Sequence, residues 1–145
     1  MARNNNSKKS GRGGAGQNRA EAEAFLQKNR QKPDTVETAS GLQYTVREEG
    51  AGKQPDEWST VEVNQRILLV DGTVIKDTYH GVETDRFTIE EAIPGLKEGL
   101  SLMKEGGKTR FVVPPELAWG KRGAGSKIGP NAALIFDIRL EKVIS

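Results

Sequence analysis

The stretch Val61-Glu62-Val63-Asn64-Gln65-Arg66-Ile67-Leu68-Leu69-Val70-Asp71-Gly72-Thr73-Val74-Ile75-Lys76 decides the fold class. Val61, Val63, Gln65, Ile67 and Leu69 alternate with Glu62, Asn64 and Arg66, the period of two that sends alternate side chains to opposite faces of a strand. Asp71-Gly72 supplies the backbone freedom of a tight hairpin, and Thr73 to Lys76 form the returning strand. The same period recurs upstream in Leu42, Tyr44 and Val46, and downstream in Phe87 with Ile89 and in Thr109, Phe111 and Val113. It appears once more in Leu134, Phe136, Ile138 and Leu140, within the long run Ala133 to Ile144. Within this strand-rich region the period changes once. Ile93, Leu96, Leu100 and Met103 recur at intervals of three and four, Pro94 sits in the first turn, and Gly106-Gly107 follow the end. The pattern predicts an α+β domain, an antiparallel sheet packed on one short helix.

Composition bounds the chemistry. The chain has 145 residues, 34% of them hydrophobic and 29% charged, with a formal net charge of +2, enough for one compact core. It has no Cys and a single His, His80, so disulfides, thiolate or His-rich metal sites and a Cys-His nucleophilic pair are excluded. No stretch approaches the roughly 20 apolar residues that cross a bilayer, and the first residues lack the apolar run of a secretory signal. The expected location is cytoplasmic.

The charge is unevenly spread. Arg3, Lys8, Lys9, Arg12 and Arg19 stand in the first twenty residues without an acid, leaving 17 basic against 20 acidic side chains in the rest. Residues 1–18, rich in Asn, Gly, Lys, Arg and Ser, offer nothing to bury and are expected to be a disordered basic tail. Residues 19–40 are read as a short helix and linker: Ala22, Phe25, Leu26 and Asn29 share one face, and Pro33 ends the helix. That face is narrow, so loose docking is expected. Residues 41–145 form the predicted domain.

Three separated motifs in this order resemble the FKBP-type peptidyl-prolyl cis-trans isomerases. They are Ile93-Pro94-Gly95-Leu96, Pro115-Glu116-Leu117-Ala118-Trp119-Gly120, and Ile128-Gly129-Pro130-Asn131-Ala132-Ala133-Leu134-Ile135-Phe136. The lead-in Ser40-Gly41-Leu42-Gln43-Tyr44 resembles the bacterial Mip-like branch, so the likeness spans Gly41 to Ile144. It implies a twisted antiparallel sheet half-wrapped around one helix, an apolar pocket for a proline ring, and no cofactor or metal. Carried over by position, Phe87, Ile93, Ile128 and Phe136 match the family's catalytic pocket, and Trp119 replaces its usual tyrosine. Four positions depart: Gln65 stands for Tyr, Ile75 for Phe, Lys76 for Asp, and Leu96 for the Trp of the pocket floor. Asp77 follows Lys76 directly, so a slip or bulge there would return a carboxylate to the rim. Gln65, Ile75 and Leu96 are therefore substituted substrate-binding positions, and Asp77 is the candidate carboxylate beside them.

The function implied is isomerisation of X-Pro bonds in unfolded or partly folded proteins, with proline-containing polypeptides as partners. The alternatives are a non-catalytic peptide-binding chaperone on the same scaffold, or an adaptor whose tail makes weak contact with polyanions. A monomer is expected. The Gly-rich loop from Gly120 to Pro130 contains a G-x-x-G-x-G pattern, but it leads into a strand and carries no Gly-Lys-Ser/Thr, so it is read as a flexible flap and not a phosphate cradle. His80, in a polar loop, is read as solvated.

Overall fold

The computed structural model describes residues 12–144. Seven strands are present among the described residues: β1 (Val36–Glu37), β2 (Gln43–Glu48), β3 (Thr60–Leu69), β4 (Val74–Asp77), β5 (Asp85–Thr88), β6 (Lys108–Val113) and β7 (Leu134–Ile144). Two α-helices, α1 (Ala15–Arg30) and α2 (Pro94–Leu100), accompany them. The sheet runs β1-β2-β6-β7-β3-β4, all antiparallel, and β5 joins the same edge of β3 as β4. Thr60 to Val63 pair with β5, and Arg66 to Leu68 pair with β4. Between them Thr78 closes the edge, its N–H donating to the Gln65 carbonyl at 2.9 Å and its Oγ1 accepting from the Gln65 N–H at 2.8 Å.

The alternation read from the sequence sorts the two faces. Val61, Val63, Ile67, Phe111, Val113, Leu134, Phe136, Ile138 and Leu140 turn to the concave face and form one core with Leu96 and Leu100 of α2. The helix can lie this close because of two glycines four residues apart. A Cβ at Gly99 would stand 2.6 Å from the Phe111 ring, and one at Gly95 would stand 2.5 Å from Val113 Cγ1. The helix ends at Leu100, short of Met103, and a turn carries Met103 into the core.

The convex face is covered at one end by α1. Phe25 and Leu26 pack on Leu68, Val112 and Ile135, and the buried Asn29 donates through Nδ2 to Gln43 Oε1 at 2.8 Å. Loose docking is therefore corrected: a narrow apolar stripe is supplemented by a buried polar clasp. The helix also starts at Ala15, four residues before the expected Arg19. The disordered tail is thus corrected for residues 12–18, whose polar groups bond across to the domain, while residues 1–11 lie outside the described residues. The other end of the convex face is polar. Asp137 accepts from Arg110 Nε at 2.7 Å and from Arg66 Nη2 at 3.3 Å, both its cross-strand neighbours.

Candidate active site

The concave face brings most of the expected pocket residues together. Phe87 pairs with Val61 on the β3–β5 edge, and Phe136 pairs with Ile67 and Phe111 in the middle of the sheet. Ile93 lies at the start of α2, and Leu96 one turn in. Ile128 comes from the Gly-rich loop, where its N–H donates to the Ala124 carbonyl at 3.2 Å and its carbonyl accepts from the Ala124 N–H at 2.8 Å. Leu96, Ile128 and Phe136 are buried in the core, and Ile75, Phe87 and Ile93 pack against it while keeping part of their surface in solvent. Trp119 is not in that cluster. It follows the 3-10 turn Pro115–Leu117, stands at the start of the loop, and is 36% exposed.

Lys76 and Gln65 meet on this face at a residue the motif reading passed over. Asp85 accepts from Gln65 Nε2 at 2.9 Å and from Lys76 Nζ at 2.9 Å. All three share the concave face because Asp85 pairs with Val63, and Lys76 with Ile67. The signal was present in the sequence: Asp85 is two residues before Phe87, hence on the same side of its strand. Gln65 is 6% exposed, and its Oε1 is the one buried side-chain polar atom among the described residues with no hydrogen-bond partner. An unpaired buried acceptor costs about 1–3 kcal/mol.

The expected place of Asp77 is corrected. The β4 bulge exists, but its extra residue is Ile75, opposite the step from Ile67 to Leu68. It turns Ile75 to the core and leaves Asp77 opposite Arg66, on the convex face. There Asp77 accepts from the Tyr79 N–H at 2.9 Å and lies 3.1 Å from Nδ1 of the solvated His80. The rim carboxylate is Asp85.

Burial pushes the Asp85 and Asp137 carboxyls up, but hydrogen bonds from Lys76 and Gln65, and from Arg110 and Arg66, outweigh it, so both lie below the ordinary carboxylate range. A carboxyl depressed in the folded state contributes stability that is complete above its unfolded value of about 3.9 and is lost as pH falls through the folded value. Urea midpoints should therefore hold between pH 7 and 5 and fall below about pH 4. In Asp137→Asn that acid limb should be shallower; an unchanged limb would mean that the convex ion pairs do not couple to folding.

The Gly-rich loop is not the free flap expected. Besides the Ala124–Ile128 bridge, the Gly120 carbonyl accepts from the Asn131 N–H at 2.7 Å, and the N-terminal segment is bonded to the loop from outside.

Comparison with known proteins bears on the fold and the family. Residues 51–141 match the family described as FKBP-type peptidyl-prolyl cis-trans isomerase, and residues 1–46 match the domain amino terminal to it. The probable FKBP-type peptidyl-prolyl cis-trans isomerase FkpA of Neisseria meningitidis serogroup B is 44% identical over 126 residues, which is 87% of this chain and 46% of that protein. The crystal structure of FkpA from Escherichia coli superimposes with a TM-score of 0.85 at 38% identity, over 89% of this chain and 60% of that one. A peptidyl-prolyl cis-trans isomerase from Pseudomonas syringae pv. tomato, 27% identical, superimposes with a TM-score of 0.81 over 99% of this chain and 100% of its own. The chain spans about half the length of the FkpA protein of Neisseria. With the sheet, the single inner helix and three ordered motifs in agreement with these matches, the chain belongs to the FKBP-type peptidyl-prolyl cis-trans isomerase family.

Proposed function

We propose that this chain accelerates cis/trans exchange of X-Pro bonds in unfolded or partly folded polypeptides. The observation that carries the reading is that Ile75, Phe87 and Ile93 keep part of their surface in solvent while packed on the same core as Ile128 and Phe136. This is a fixed apolar surface suited to a proline ring, with Trp119 standing beside the loop that brings Ile128. The reaction needs no nucleophile or proton relay. The barrier of about 18–20 kcal/mol is amide resonance, and it falls where the twisted, less polar amide is favoured over the planar one. An apolar seat for the ring favours the twisted state by removing water from the amide. The Trp119 indole N–H is a donor suited to orienting a flanking peptide carbonyl.

In an NMR exchange experiment on an X-Pro tetrapeptide, a catalytic amount of the protein should produce cis-to-trans cross-peaks within a second. The unaided process takes tens of seconds. Binding without exchange would favour the second reading, a peptide-binding chaperone, which Gln65, Lys76 and Leu96 support as departures from the family's pocket. The polyanion adaptor is less favoured, because Arg12 and Arg19 are already engaged within the fold. A cytoplasmic location and a monomeric state belong to the same proposal, and fractionation and sedimentation test them.

A further inference from the structure

The carbonyls of Arg122, Gly125 and Pro130 all lie in the Gly-rich loop, and each accepts a hydrogen bond from a side chain more than a hundred residues away. Arg12 donates through Nη1 to Gly125 O at 3.2 Å and through Nη2 to Arg122 O at 3.3 Å. Asn18 Nδ2 donates to Pro130 O at 3.0 Å and to Arg12 O at 2.8 Å, so one amide ties the strap to itself and to the loop. Asn131, held at φ 61°, donates to Ala15 O at 3.3 Å and accepts from Arg19 at 3.2 Å. The loop is shaped to receive this segment. A Cβ at Gly129 would overlap the Arg12 carbonyl oxygen, and one at Gly123 would stand 2.8 Å from Arg12 Nη2. Glycine at 129 lets the Arg12 backbone lie against the loop, whereas Gly123, at φ 69° and closest to the Ile128 carbonyl, is required first by the loop's own turn.

We propose that Arg12 and Asn18 are positioning residues for the isomerase site: the segment from Arg12 through the first turn of α1 is a strap that holds the Gly120–Pro130 loop in the form that presents Ile128 and Trp119. Neither residue reaches the concave face, and each acts through the loop backbone. This role rests on the isomerase reading and gives the N-terminal segment a part in the site. A guanidinium spanning two carbonyls suits this task, because its donors sit on different nitrogens of a rigid planar fork and fix the spacing between the two carbonyls, which the single freely rotating nitrogen of an ammonium does not.

The test uses the full-length chain with Trp58, which is 67% exposed elsewhere on the surface, replaced by Phe so that emission reports Trp119 alone. In the double variant Arg12→Ala, Asn18→Ala, the Ala124 and Ile128 amides should exchange with deuterium about tenfold faster, while those of Phe136 and Ile138 keep their rates. Trp119 emission should shift, and KM for an X-Pro peptide should rise on the order of tenfold, with kcat changed less. Gln17→Ala, on the same helix end but bonded to Glu21, should leave all of these unchanged. Unaltered exchange at Ala124 and Ile128 would overturn the strap. A loosened loop with unchanged KM and kcat would overturn its positioning role. If the parent protein shows no isomerase activity the functional reading fails separately, since exchange and emission still report whether the strap holds the loop.

Discussion

Phe136→Ala is expected to lower the free energy of unfolding by about 3–5 kcal/mol. Phe136 is 1% exposed, pairs with Ile67 on one side and Phe111 on the other, and belongs to the same core as α2. Removing the ring deletes buried apolar surface and leaves a cavity that a sheet paired on both sides cannot close by collapse. In urea the midpoint should fall while the slope stays constant. A loss below about 1 kcal/mol would mean that the concave core is loosely packed and that this face is not the rigid seat assigned to it. Activity of this variant says little by itself, because lost fold and lost chemistry coincide.

Trp119→Ala separates the two. Its side chain is partly exposed and lies outside the core cluster, so its thermal midpoint should stay close to that of the wild type. If the indole flanks the bound proline ring, the isomerisation rate should fall by about tenfold, the equivalent of roughly 1.4 kcal/mol of lost transition-state contact. Trp58→Phe, equally conservative in stability terms, should leave the rate alone. A Trp119→Ala protein as active as the wild type would remove Trp119 from the site and leave the apolar surface to act without an aromatic neighbour.

Which parts of this structure were legible in the sequence follows from the range over which each is determined. The faces of β3, β6 and β7 could be read directly, because strand alternation is a local property and the apolar set at 61, 63 and 67 or at 134, 136 and 138 has one place to go. The edge was harder. Asp85 was missed because it belongs to no motif, although its spacing from Phe87 fixes its face, and the fate of Asp77 turned on where the bulge falls, which local spacing does not determine. The start of α1 at Ala15 was illegible for a different reason. Gly14 and Gly16 argue against a helix there by propensity, and the segment is held by Asn18 and Arg12 on carbonyls of a loop more than a hundred residues away. The Asn29–Gln43 clasp is hidden in the same way, since a polar residue on a narrow helix face announces solvent until its partner is placed.

The central claim, catalysed X-Pro exchange, is tested most directly on a polypeptide client. In refolding of a model protein whose slow phase is limited by proline isomerisation, substoichiometric amounts of this chain should shorten a phase that otherwise lasts tens of seconds, in proportion to its concentration. A slow phase left unchanged while the chain still suppresses aggregation of the same unfolded client would contradict the account and leave a chaperone on an isomerase scaffold.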